Sequence, residues 1–114
     1  CLVFPISVES QYVNHYLDAV IEIRKIYGAE PHITGGLSNV SFGLPKRKLI
    51  NDTFMKLGLD AGIDSGIIDP IQCNLEQVFN PTPPSESIHM AEDMLLGKDE
   101  FCMNYIEAWR NGKL

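Results

Sequence analysis

The sequence predicts an α/β fold made of parallel βαβ units. Short apolar runs alternate with longer amphipathic segments in the order strand, helix, strand, helix, strand. This alternation is typical of a parallel sheet with helices on its faces rather than of an antiparallel sandwich. The length of 114 residues and the hydrophobic content of 45% fit one globular domain, so residues 1–114 are interpreted as a single unit.

The first unit starts with an apolar run. A buried strand is predicted at residues 2–6, with Pro5 near its end, where a missing hydrogen-bond donor is tolerated. Ser7 or Ser10 is predicted to cap the helix that follows, and Gly28 is predicted to end it. The apolar residues that share one face of this helix are Val13, Tyr16, Leu17, Val20, Ile23 and Tyr27.

The second unit repeats the pattern. Residues 33–37 are a predicted strand, and an amphipathic helix with apolar positions over residues 49–61 is predicted to end at Gly62. A third, very short strand is predicted at residues 66–68. His32 is interpreted as structural, because a histidine at the edge of a strand is more often structural than catalytic.

The remainder of the chain is predicted to be mostly helical. Residues 71–79 are interpreted as irregular or as a single helical turn, and residues 80–84 as a stiff, proline-rich spacer. Ser85 or Ser87 is predicted to cap a helix that ends near Gly97.

A last helix is predicted to follow Asp99 as its cap. The residues of this helix that are expected to face inward are Phe101, Tyr105, Ala108 and Trp109. Three methionines are interpreted as core packing residues rather than as a cofactor site, namely Met90, Met94 and Met103.

Composition excludes several classes of function. The net charge of -6 argues against nucleic-acid binding, which requires an excess of Lys and Arg. No apolar stretch approaches the roughly 20 residues of a membrane-spanning helix. Cys1, Cys73 and Cys102 have no C-x-x-C spacing, so neither a zinc site nor a disulfide framework is indicated. We therefore expect a cytoplasmic protein without a metal site.

The strand-to-helix loop of residues 35–47, here named the site loop, combines glycines with neutral polar side chains and an arginine. Its glycines permit close approach of a ligand, and Ser38, Asn39 and Ser41 are neutral hydrogen-bonding groups. Arg47 adds a permanent cation. This set suits a flat polar heterocycle better than a phosphate. Gly and Ser are also ordinary turn residues, so the pattern alone leaves both interpretations open.

Residues 36–42 read Gly-Leu-Ser-Asn-Val-Ser-Phe, and Pro45, Arg47 and the pattern Gly-Ile-Asp-x-x-Ile-x-Asp at residues 62–69 follow. On these residues the chain resembles the pterin-binding methyltransferases. That family includes the methyltetrahydrofolate:corrinoid/iron-sulfur protein methyltransferases and the folate domain of cobalamin-dependent methionine synthase. Residues 101–110 resemble the last helix of its smaller members, so the similarity spans nearly the whole chain.

The resemblance implies a (β/α)8 TIM barrel of roughly 250 residues. The present chain would be its C-terminal part, three βα units with parallel strands and flanking helices, followed by two C-terminal helices. The site loop would then follow strand seven. Because the chain begins without methionine in an apolar run, we expect it to be a piece of a longer polypeptide that is inactive by itself.

The resemblance also implies a site. Asn39 would be the catalytic residue, hydrogen-bonded to N5 of the folate, and Arg47 would contact the edge of the pterin. Ile67 would pack near the ring, and Ser38 and Phe42 complete the implied substrate-binding set. Several family members have glutamine where this chain has Phe42, so a polar contact from this position is not expected.

The implied reaction is transfer of a methyl group between tetrahydrofolate and the cobalt of a corrinoid, such as cobalamin, held by a partner protein. The expected partners are therefore folate and the corrinoid protein, and the full-length form is expected to be a homodimer. Two alternatives stay open at this point. One is a pterin enzyme like dihydropteroate synthase, and the other is a non-catalytic α/β module that self-associates or completes a split barrel.

Overall fold

The computed structural model of the protein describes residues 2–80 and 85–114. Over these residues the chain forms five α-helices and two short 3-10 turns. The helices are α1 (Tyr12–Tyr27), α2 (Arg47–Ala61), α3 (Leu75–Phe79), α4 (Glu86–Leu95) and α5 (Met103–Arg110). The 3-10 turns are Asn39–Ser41 and Glu100–Cys102. Cys1 and most of the predicted proline-rich spacer lie outside the described residues.

The predicted parallel strands are not formed within residues 2–80 and 85–114, so the interpretation as three βα units of a TIM barrel is wrong. The three apolar segments instead meet at two isolated parallel bridges, between Leu2 and Gly36 and between Gly36 and Ile67. Two causes are visible in the sequence. Pro5 has no N–H to donate, and glycines at positions 36 and 66 carry no side chain that packs on a sheet.

Helix α2 is the centre of the fold. It packs against α1, α3, α4 and the 3-10 turn of the site loop. Ile50 and Phe54 of α2 are completely buried, and the ring of Tyr16 on α1 lies 5.5 Å from that of Phe54. Burial of each such apolar side chain contributes about 1.5–3 kcal/mol. The packing of α2 therefore holds the end of the site loop against the core.

Helix α1 ends as predicted but begins differently. Gly28, with a φ of 65°, terminates it, which confirms the predicted stop. Neither predicted serine caps its first turn. The helix starts at Tyr12, and the carboxylate of Glu9 accepts a hydrogen bond of 3.2 Å from the backbone N–H of Gln11. Tyr27 was predicted to face the core and is exposed.

The polar caps of α3 and α4 join residues that are close in the sequence. Asn74 accepts a hydrogen bond of 3.2 Å from the N–H of Gln77, and the five-residue helix α3 confirms the predicted single turn. Ser85 caps α4 by accepting a hydrogen bond of 3.4 Å from the N–H of Ile88, which confirms one of the two predicted caps.

The C-terminal helix begins later than predicted. Phe101 and Cys102 have φ values of 54° and 57°, so the chain turns through a left-handed pair before α5 starts at Met103. This delay changes which residues face inward. The buried residues of α5 are Tyr105 and Ala108, as predicted. The predicted core residues that are exposed instead are Phe101, Met103 and Trp109.

A polar cluster joins the end of α1 to the segments before and after α2. Nδ1 of His32 lies 2.7 Å from Oδ2 of Asp64, whose other oxygen accepts a hydrogen bond of 2.9 Å from the N–H of Ile33. Arg24 donates through Nε to the carbonyl of Gly62 at 2.8 Å. His32 thus has a carboxylate partner 32 residues away, which inspection of its sequence neighbours did not find.

We expect the stability of the fold to depend on pH through this cluster. The hydrogen bond from His32, with help from the N–H of Ile33 and the charge of Arg24, lowers the pKa of Asp64 below its ordinary value of about 4. A depressed carboxyl pKa stabilises the folded state above the unfolded pKa, and the contribution is lost as pH falls through the folded pKa.

Urea unfolding of the wild type and of Asp64→Asn between about pH 6 and pH 2 measures this effect. The stabilisation is expected to decrease as the pH falls below the ordinary carboxyl pKa of about 4. The wild type should have the higher midpoint at pH 6, and the difference should narrow as the solution becomes acidic. His32→Ala should reduce the initial difference. A constant difference across this range would contradict the assignment.

Candidate functional site

The site loop lies between the other two predicted strand segments. The N–H of Leu37 donates to the carbonyl of Ile67 at 3.1 Å. On the other side, the N–H of Ile6 donates to the carbonyl of Val40 at 2.9 Å. The N–H of Ile67 also donates to the carbonyl of Gly35 at 2.8 Å, so a few isolated hydrogen bonds, rather than a continuous ladder, hold the loop in place. These contacts join three separate parts of the chain at the site loop.

Asn39 is anchored by one end of its side-chain amide. Its Nδ2 donates to the carbonyl of Val3 at 3.2 Å, across a separation of 36 residues. A carbonyl only accepts, so the amide nitrogen must be the atom that faces Val3. Its Oδ1 forms no hydrogen bond with the part of the chain that the structure describes. Asn39 therefore combines a fixed orientation with one acceptor for a further donor.

Arg47 belongs to a closed group of three hydrogen bonds. Its Nε donates to Oγ of Ser41 at 3.0 Å, and its Nη2 donates to the carbonyl of Ser38 at 2.8 Å. Oγ of Ser41 in turn donates to the same carbonyl at 3.0 Å. Ser41 is completely buried, whereas Arg47 is exposed. Nη1 of Arg47 has no hydrogen-bond partner among residues 2–80 and 85–114, so it remains a donor for a ligand.

Phe42 of the site loop and Ile67 of the segment paired with that loop both present apolar surface. They are 62% and 74% exposed. Cζ of Arg47 lies 6.0 Å from the centre of the Phe42 ring, at the outer limit of a cation–π contact. The structure thus brings Ser38, Phe42 and Arg47 into one group, with Asn39 on the same 3-10 turn as Ser41. Ile67 lies on the segment that is bridged to Gly36.

The far end of the site loop is anchored to α5. The hydroxyl of Tyr105 donates to the carbonyl of Pro45 at 3.3 Å. Burial raises the pKa of Tyr105, so this hydroxyl stays protonated and able to donate. The next residue, Lys46, has a φ of 53° and directs the chain into α2. Arg47 is consequently the first residue of a well-packed helix.

Other reactive groups give no support to a different chemistry here. Burial raises the pKa values of the free thiols of Cys73 and Cys102 to about 11, and the negative charges of Asp52 and Asp99 act in the same direction. Both thiols are therefore protonated at neutral pH and poor nucleophiles. In the described part of the chain, no three His, Cys, Asp or Glu residues are grouped as metal ligands. None of the described helices has the length and apolar character needed to cross a membrane.

Two partners in this site were not predicted. Residue chemistry together with the family resemblance identified Ser38, Asn39, Phe42, Arg47 and Ile67. Neither predicted the bond between Ser41 and Arg47 or the anchor of Asn39 on Val3. The first pair is six positions apart with a turn at Gly43 between them, so no regular helix or strand connects the two residues. The second partner is a backbone carbonyl, which leaves no signal in the residue type.

Comparisons with known proteins agree with the resemblance seen in the sequence. No protein-family model matches the chain. A methylcorrinoid:tetrahydrofolate methyltransferase of Eubacterium limosum is 38% identical to it over 112 residues. The match covers 98% of this chain and 37% of that relative, so the chain spans little more than a third of the relative's length. The predicted resemblance is therefore confirmed, and nearly the whole chain is similar to part of a methylcorrinoid:tetrahydrofolate methyltransferase.

Proposed function

We propose that this chain is part of a methyltransferase that moves a methyl group between tetrahydrofolate and the cobalt of a corrinoid carried by another protein. The observation that carries the proposal is the 38% identity, over 98% of the chain, to a relative with that name. The chemistry of the site loop supports it, because neutral hydrogen-bonding groups and one arginine stand beside exposed apolar surface.

Asn39 is proposed as the catalytic residue. A folate nitrogen that gains or loses a methyl group changes its charge and its bond to hydrogen during the reaction. An amide can follow this change because it both accepts and donates without becoming charged itself. The bond from Nδ2 to the carbonyl of Val3 fixes the amide, and Oδ1 remains available to accept from an N–H of the substrate.

The other site residues are proposed to bind the pterin ring. Nη1 of Arg47 is a free donor among the described contacts and suits the acceptor atoms at the edge of a pterin. Phe42 and Ile67 offer apolar surface to the flat face of the ring. The hydroxyl of Ser38 has no partner in the described residues, whereas its carbonyl already accepts from Ser41 and Arg47.

The corrinoid, when its own protein docks, supplies the metal that carries the methyl group. The residues of this chain bind and orient the folate. The proposal includes the corrinoid protein as partner, a homodimer for the full-length form and a cytoplasmic location.

A methyl-transfer assay tests this function. The full-length polypeptide that contains this sequence is mixed with tetrahydrofolate and methylcobalamin, which replaces the corrinoid protein as the probe. We expect methyltetrahydrofolate to form, as detected by mass spectrometry, together with loss of the methylcobalamin absorbance. Folded protein that transfers no methyl group in either direction, with methylcobalamin or with a methylated corrinoid protein, would contradict the proposal.

A further inference from the structure

We propose that Ser41 is a positioning residue that sets the direction of the Arg47 guanidinium and thereby the affinity for folate. This inference rests on the proposed function, in which Arg47 contacts the pterin. Ser41 itself is completely buried and therefore offers no surface to a ligand. Any effect of its hydroxyl on binding must pass through the groups that it contacts.

The geometry gives this hydroxyl two simultaneous roles. Oγ of Ser41 accepts from Nε of Arg47 at 3.0 Å and donates to the carbonyl of Ser38 at 3.0 Å. The same carbonyl accepts from Nη2 of Arg47 at 2.8 Å. Nε and Nη2 of the planar guanidinium are thus held by two acceptors, Oγ of Ser41 and the carbonyl of Ser38, which are also hydrogen-bonded to each other. This arrangement defines the plane of the guanidinium, whereas one hydrogen bond would leave it free to pivot.

The constraint matters because the Arg47 side chain is long and exposed. An arginine loses rotamer entropy when its side chain is fixed. If Ser41 and Ser38 hold it before the ligand arrives, less of that cost falls on binding. Nη1 then remains as the donor with a set direction. Without the hydroxyl, Nε loses its buried acceptor, and the orientation must be established when the ligand binds.

Thr53 offers a matched control. Its hydroxyl is also buried and donates to a backbone carbonyl, that of Leu49, at 2.7 Å. No cationic side chain in the described part of the chain donates to it. Thr53→Val therefore removes a buried hydroxyl of similar structural importance without a direct effect on Arg47.

The test is a double-mutant cycle measured by folate titration of the full-length protein. Ser41→Ala should raise the Kd for tetrahydrofolate about three- to tenfold, the effect of one hydrogen bond. Arg47→Ala should raise it further, and the double variant should bind no more weakly than Arg47→Ala alone. Thr53→Val should leave the Kd unchanged. If Ser41→Ala does not fold, Ser41→Cys fills nearly the same space with a weaker acceptor and should change the Kd in the same direction.

A second measurement is independent of folate. NMR relaxation of the Arg47 Nε–H should show restricted motion in the wild type and increased motion in Ser41→Ala, with Arg24 unaffected. If the wild type binds no folate, the proposed function fails, and the NMR comparison still tests the link between Ser41 and Arg47. Additive effects of the two substitutions on the Kd, or unchanged motion of the guanidinium, would overturn the proposal.

Discussion

Replacement of Asn39 by alanine is expected to lower kcat for methyl transfer by about 10²–10³-fold, the usual effect of removing one hydrogen bond that stabilises a transition state. The reason is that the side chain of Asn39 is fixed by its bond to Val3, while its Oδ1 has no hydrogen-bond partner among the described residues. Because the interaction is expected to strengthen as charge changes at the folate nitrogen, kcat should fall more than the affinity for folate. Steady-state kinetics with tetrahydrofolate and methylcobalamin measure both.

The control for this experiment is Asn14→Ala. Asn14 also donates through Nδ2 to a distant backbone carbonyl, that of Leu96, at 3.0 Å. The control therefore removes a similar long-range structural bond while leaving the site loop intact, and urea unfolding compares the two losses of stability. Equal kcat values for Asn39→Ala and wild type would exclude the catalytic role. Equal decreases in both variants would assign the effect to stability.

Replacement of Asp99 by alanine is expected to reduce the free energy of unfolding by about 3 kcal/mol, since hydrogen bonds to a charged group contribute about 1.5–3 kcal/mol each. The carboxylate of Asp99 is only 5% exposed. Its two oxygens accept from the backbone N–H groups of Asn104 and Tyr105, at 2.9 and 2.8 Å. Alanine leaves both donors of the first turn of α5 without an acceptor.

Urea unfolding of Asp99→Ala, Asp99→Asn and Glu100→Ala tests this prediction. The asparagine variant retains one oxygen acceptor and should lose about half as much stability. The exposed carboxylate of Glu100 is the matched control, and its removal should change stability by less than about 0.5 kcal/mol. A loss below about 1 kcal/mol for Asp99→Ala would show that water replaces the carboxylate at the start of α5.

The helices were easier to predict than the connections between them. Gly28 and Gly62 end α1 and α2, as the sequence predicted, because a glycine stop depends on local backbone conformation. The strands were predicted from apolar runs that do lie side by side, yet over residues 2–80 and 85–114 they form only isolated bridges at Gly36. An apolar run becomes a strand only if an adjacent segment forms successive backbone hydrogen bonds with it. The sequence of one segment does not show which segment will lie beside it.

The prediction that Phe101 faces the core was wrong for a different reason. Helical spacing placed this residue on the inner face of the last helix, but α5 begins only at Met103. The left-handed conformations of Phe101 and Cys102 precede it and leave the Phe101 side chain exposed. Such conformations are uncommon in residues other than glycine, and no local signal predicted two in succession.

For the candidate site, residue types and their approximate location could be read directly from the chain. The site loop contains its one side-chain amide, its two hydroxyls and its arginine within 13 positions. That information, with the resemblance it supports, was sufficient to propose folate chemistry. It did not show which of these groups are already engaged within the protein.

The folded structure made that distinction. It pairs Asn39 with the carbonyl of Val3 and occupies two nitrogens of Arg47. Among the described residues, Oδ1 of Asn39 and Nη1 of Arg47 have no hydrogen-bond partner. The carboxylate of Asp64 reaches His32 in the same way, across 32 residues. Hydrogen-bond partners from distant segments meet only after helices have packed, whereas glycine stops and side-chain chemistry are local properties. The sequence alone therefore determined the helix ends and the side-chain chemistry of the site loop. Tertiary packing determined which hydrogen-bonding atoms of that loop already have partners within the protein.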